Sequence, residues 1–70
     1  MTFEERLRQE LVETRDKYYK AKNNYMAAKN GLKPAFVKES IELLRQEKAS
    51  LGYYLKVLET KCDLYGVEKK

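Results

Sequence analysis

Apolar and small side chains recur at steps of three and four residues along the first half of the chain. This spacing is a heptad seam, which is typical of a helix that packs along one narrow stripe. Thr2 and Glu5 fit a capping box at the start of this helix, and Gly31 after Asn30 can end it in a left-handed conformation. The pattern predicts a first helix over about residues 3–30. Its seam consists of Phe3, Leu7, Leu11, Thr14, Tyr18, Ala21, Tyr25, Ala28 and Leu32.

A second seam follows Pro34, whose missing N–H costs nothing in the first turn of a helix. Its steps are again four and three residues, and Gly66 suits the end of the helix. The pattern predicts a second helix over about residues 34–66. Its seam consists of Val37, Ile41, Leu44, Lys48, Leu51, Leu55, Leu58, Cys62 and Tyr65.

Only about three residues separate the two predicted helices, so the helices must fold back antiparallel. A turn at residues 32 and 33 places Leu11 opposite Leu55 and brings Tyr18 close to Lys48, whose methylene groups can cover the ring. The sequence therefore predicts an all-α fold, in which a single antiparallel two-helix hairpin domain spans residues 1–70.

Each predicted helix carries a further apolar column outside its seam, with a spacing of seven residues. A two-helix contact hides only one narrow stripe per helix, so these columns would stay exposed and favour association. Gly52 lies beside Leu51, where the missing side chain could allow a close helix approach. We predict a homo-oligomer, with a dimer favoured, that pairs hairpins into a four-helix bundle. The predicted oligomer interface consists of Val12, Tyr19, Met26, Phe36, Leu43, Leu51, Val57 and Leu64.

The chain contains few residues that suit catalysis. The sequence contains no His and one Cys, which excludes zinc sites, Ser–His–Asp triads and disulfide frameworks. Its carboxylates mostly stand four residues from a Lys or Arg, where they support a helix. We therefore expect a protein without catalytic residues, without a metal and without a cofactor.

Other bulk features favour a cytoplasmic location. Residues 1–5 are acidic and lack an apolar run, unlike a signal peptide. No segment approaches the roughly 18 apolar residues that span a bilayer, so no membrane partner is expected. The lone Cys62 suits a reducing compartment. Lys and Arg number 15 against 11 Asp and Glu, and the net charge of +4 mildly favours acidic partners.

Charge is unevenly distributed along the chain. Six basic residues and no acidic residue occur between Lys17 and Lys38. Basic side chains interleaved with aromatic rings can hold phosphates while the rings stack on bases. The same pattern also suits basic side chains that lie over an oligomer interface. The candidate anion- or partner-binding face consists of Arg15, Tyr18, Tyr19, Lys22, Tyr25 and Lys29.

These observations favour a non-enzymatic function. We expect a small cytoplasmic helical module that self-associates and binds another protein, as many phage and bacterial accessory or regulatory proteins do. The alternative is an anion binder for nucleic acid or nucleotide, through the basic and aromatic face of the first helix. A third possibility is a small enzyme whose site lies between subunits.

Overall fold

The computed structural model describes residues 2–68 and is all-helical. Two helices, α1 (Phe3–Lys29) and α2 (Ile41–Tyr65), pack against each other as a hairpin. The molecule measures 42 × 19 × 15 Å, so its length is that of one helix and its width that of two. The predicted all-α hairpin is confirmed. The predicted domain of residues 1–70 also includes residues 1, 69 and 70, which lie outside the described residues.

Both ends of α1 follow the sequence signals. The Thr2 hydroxyl accepts a hydrogen bond from the Glu5 backbone N–H at 3.1 Å, which caps the first turn. At the other end Gly31 has a positive φ of 72°. The Gly31 N–H donates to the Ala28 carbonyl (3.1 Å) and the Leu32 N–H to the Ala27 carbonyl (2.7 Å). This pair of bonds is a Schellman motif, so Gly31 ends the helix as predicted.

The start of α2 differs from the prediction. The helix begins at Ile41, and not near residue 34, because Ser40 provides its N-cap. The Ser40 hydroxyl accepts from the Leu43 backbone N–H at 3.2 Å. Pro34 instead belongs to a turn, in which its carbonyl accepts from the Val37 N–H at 3.0 Å. The apolar spacing from Val37 to Ile41 looked helical because Val37 reaches the core from this non-helical connection, where it is 6% exposed.

The longer connection also shifts the register of the two helices. Tyr18 packs against Gly52, and a Cβ atom at position 52 would lie 3.1 Å from a ring carbon of Tyr18. Lys48 lies one helical turn nearer the connection, with its ammonium 5.3 Å from the centre of the Tyr25 ring. The predicted contact between Lys48 and Tyr18 is therefore wrong. Because Gly52 has no side chain, the Tyr18 ring can lie close to α2, as the sequence suggested.

The inner parts of the two seams form the interior, whereas four seam residues near the ends of the hairpin are exposed: Phe3, Leu32, Ile41 and Tyr65. Leu11, Leu44, Leu58 and Cys62 are essentially inaccessible to solvent. Most of this apolar volume lies near the end of the hairpin away from the connection. The buried cluster there consists of Leu7, Leu11, Leu58, Cys62 and Val67, with Leu55 packed against it.

Val67 is a core residue that belongs to neither predicted seam. It follows Gly66, whose φ of 68° ends α2, and its N–H donates to the Cys62 carbonyl at 2.8 Å. This Schellman turn folds Val67 back onto the cluster, where it is buried. Next to it, the Arg8 side chain donates to the Glu68 carbonyl at 3.4 Å. At the outermost level the Phe3 and Tyr65 rings meet edge to face, 5.0 Å apart.

Replacing the cap of α2 tests where that helix begins. Ser40→Ala removes the acceptor for the Leu43 N–H, so we expect the free energy of unfolding to fall by about 1 kcal/mol. Ser40→Asn restores a capping side chain and should behave like the wild type. Urea titration followed by circular dichroism measures both variants. An unchanged Ser40→Ala variant would show that Ser40 does not start the helix.

Candidate interaction surfaces

The hairpin has two distinct sides, each marked by a contact between its helices. On one side the Tyr54 hydroxyl donates a hydrogen bond to the Glu10 carboxylate. This bond raises the pKa of Tyr54, because loss of the phenolic proton would remove the bond and place two negative charges together. On the other side Gly52 meets Tyr18. We refer to these as the Tyr54 side and the Gly52 side.

The apolar column of α2 lies on the Tyr54 side. Tyr54 immediately precedes the seam residue Leu55, and Leu43, Val57 and Leu64 likewise each precede a seam residue. One residue turns a helix by about 100°, so all four side chains project from the same flank. Leu43 is 44% exposed and Leu64 is 75% exposed, whereas Val57 is half-buried.

The apolar column of α1 lies on the opposite side of the hairpin. Val12, Tyr19 and Met26 each follow a seam residue, whereas Glu10 precedes the seam residue Leu11. The column therefore projects away from the Glu10–Tyr54 contact and onto the Gly52 side. All three side chains are exposed. Six of the eight predicted interface residues thus form two separate surfaces.

Two of the predicted interface residues belong to neither column. Phe36 is 82% exposed but stands in the connection, outside α2. Its assignment to the helical column was wrong, because that column required α2 to start near residue 34. Leu51 is a half-buried seam residue.

The outer surface of α2 contains two shallow depressions, one on each side of the helix midpoint. Each is lined by residues of α2 alone. The depression nearer the start of α2 contains one charged residue, Glu47, and we refer to it as the acidic depression. The depression nearer the end of α2 contains Lys56 and Lys61, and we refer to it as the basic depression. The acidic depression is lined by Leu43, Gln46, Glu47, Ser50 and Leu51. The basic depression is lined by Tyr53, Lys56, Val57, Thr60 and Lys61.

The basic and aromatic face of α1 is partly engaged within the chain. The Tyr18 and Tyr19 rings lie 5.7 Å apart, and Tyr18 also contacts Gly52. The Lys29 ammonium lies 5.8 Å from the centre of the Tyr25 ring, which also carries Lys48 at 5.3 Å. These are cation–π distances. Tyr19 is 52% exposed, whereas Tyr18 and Tyr25 are half-buried, so Tyr19 is the most accessible ring of this face.

Lys48 also contributes a basic side chain to this face. It was not part of the predicted face and was predicted in the seam of α2, close to Tyr18. Because it comes from α2, its approach to Tyr25 depends on the register of the hairpin. Arg15 and Lys22 are half-buried along α1, whereas Lys29 is exposed. The basic side chains of the Gly52 side are thus supplied by both helices.

No protein-family model, curated protein or solved structure significantly matches this chain. Within residues 2–68, no group of three or more potential metal ligands comes together. Neither α1 nor α2 has an apolar stretch that could cross a bilayer. Inferences about function therefore rest on the two exposed sides of the hairpin.

Proposed function

We propose that this protein is a small non-enzymatic helical module that self-associates and binds another protein. The observation that carries the proposal is the number of large apolar side chains left on the surface. Among the described residues, twelve large hydrophobic side chains are exposed and eight hydrophobic residues are buried. Five of the exposed side chains belong to the two columns: Val12, Tyr19, Met26, Leu43 and Leu64. Clustered apolar surface of this kind is typical of a protein that functions in contact with others.

Self-association is best supported on the Tyr54 side of α2. Leu43, Val57 and Leu64 lie on one seven-residue spacing that covers most of the length of the helix, and Ser50 occupies the remaining position. A second hairpin laid along this column would bury it and form a four-helix bundle. Because an isologous dimer uses the same patch on both chains, it needs no second complementary surface.

Binding of a different protein is best supported on the Gly52 side. Val12, Tyr19 and Met26 are exposed there, and a second copy on the Tyr54 side would leave them uncovered. Basic side chains, including Lys29 and Lys48, border this column. An amphipathic segment with acidic flanks matches both its apolar and its electrostatic character.

Anion binding is a second candidate function for the Gly52 side. Lys29 and Lys48 come from different helices and place their ammonium groups within 6 Å of the same Tyr25 ring. A phosphate at this position would relieve the repulsion between the two charges. Since cations of the same chain already lie against Tyr25, base stacking would have to use Tyr19.

A charge placed in either apolar column tests the main proposal. Leu43→Glu would bury an unpaired carboxylate in the dimer, so we expect its mass to fall to that of one chain, 8.3 kDa. Met26→Glu is the matched control, because it makes the same change on the Gly52 side and should leave the dimer intact. Analytical ultracentrifugation at micromolar concentration measures both. A wild-type monomer would contradict the proposal.

Paired lysine substitutions test the anion-binding candidate. We expect Lys29→Gln/Lys48→Gln to weaken binding of a single-stranded oligonucleotide and to flatten its dependence on salt. The matched control is Lys17→Gln/Lys20→Gln, which removes the same charge from exposed positions elsewhere on α1. If bases stack on Tyr19, Tyr19→Ala should cost about 1–3 kcal/mol of binding free energy. Fluorescence anisotropy gives these affinities. A wild type that binds no oligonucleotide at low salt would eliminate this candidate.

A further inference from the structure

The flank of α2 next to Leu43, Val57 and Leu64 has a charge pattern that is complementary to itself. Glu47, Tyr54 and Lys61 repeat every seven residues along this flank. Glu47 belongs to the acidic depression and Lys61 to the basic one. This row of three side chains therefore has an acid at one end, a base at the other and an aromatic ring in the middle.

This pattern distinguishes the two ways in which two copies of α2 can lie side by side. In a parallel pair, Glu47 would lie beside the partner's Glu47 and Lys61 beside the partner's Lys61. In an antiparallel pair centred between Tyr53 and Tyr54, Glu47 lies within one residue of the level of the partner's Lys61. Like charges at an interface oppose association, whereas opposite charges fix its orientation.

The apolar residues fit the same antiparallel arrangement. A two-fold axis at the helix midpoint places Leu43 opposite the partner's Leu64 and Ser50 opposite the partner's Val57. The small Ser50 then leaves room for the larger valine, as interdigitating layers require. The same axis brings the acidic depression of each copy against the basic depression of the other.

We propose that a second copy of this chain docks antiparallel along the Tyr54 side of α2, with Glu47 of each copy beside the partner's Lys61. This inference rests on the proposed self-association and adds its face, direction and register. The charged pairs lie at the edge of the contact, so their main effect is to select the orientation. The neighbouring apolar column of Leu43, Val57 and Leu64 supplies the buried surface.

Disulfide trapping tests the register directly. Mixing Ser50→Cys with Val57→Cys and oxidising should link the two chains, because the two positions face each other across the axis. Ser50→Cys alone should not cross-link. Its two copies would be about 10 Å apart along the helix direction, which is beyond the Cα separation that a disulfide spans. Wild-type protein, whose Cys62 is fully buried, controls for background oxidation.

Charge reversal tests the orientation without a cross-link. We expect Glu47→Lys to weaken dimerisation by about tenfold, and Glu47→Lys/Lys61→Glu to restore it, because opposite charges face each other again. Asp16→Lys is the matched control, since it makes the same change in net charge at an exposed position on the outer surface of α1 and should leave the dissociation constant unchanged.

The outcomes separate this inference from the proposal on which it rests. A monomeric wild type would overturn both. A dimer in which Ser50→Cys cross-links to itself would overturn the antiparallel register while self-association stands. The antiparallel register would also be overturned by a dimer that forms no mixed cross-link and whose dissociation constant is unchanged by Glu47→Lys. Another face would then join the copies.

Discussion

Two packed helices bury only one narrow stripe of each helix, and this geometric constraint governs the rest of the molecule. The stripe contains Leu11, Leu44, Leu58 and Cys62, which are almost completely inaccessible. Apolar side chains away from the stripe, such as Leu43 and Met26, stay about half exposed. A chain of this size buries about 60% of the surface that its unfolded form exposes, so further association is a reasonable source of stability. The proposed dimer follows from this imbalance between the surface that the hairpin hides and the apolar surface that it carries.

Periodicity in the sequence was sufficient to predict the hairpin because each seam is long and regular. The glycine stops were equally readable: Gly31 and Gly66 both adopt the left-handed conformation that ends a helix. The start of α2 was mispredicted because Pro34 and Ser40 are both acceptable helix starts, and the apolar step from Val37 to Ile41 is compatible with a helix. The structure uses Ser40 as the cap and buries Val37 from the connection instead of from a helix. That information is absent from local sequence pattern.

The candidate surfaces were only partly predictable for the same reason. A spacing of seven residues is a property of one helix, so the columns containing Tyr19 and Leu43 could be recognised from the sequence. Their placement on opposite sides of the hairpin depends on how the two helices meet, which the Glu10–Tyr54 contact reveals. The approach of Lys48 to Tyr25 also depends on the register of the helices. An error in the length of the connection had moved that lysine to Tyr18.

The central claim is that association completes the burial that one hairpin cannot achieve, and the concentration dependence of the melting temperature tests it most directly. If folding and dimerisation are coupled, a hundredfold increase in protein concentration should raise the melting temperature by on the order of 10 °C. Circular dichroism at 1 and 100 µM, in cells of different path length, gives this comparison. A melting temperature independent of concentration, together with a mass of 8.3 kDa at both concentrations, would contradict the claim.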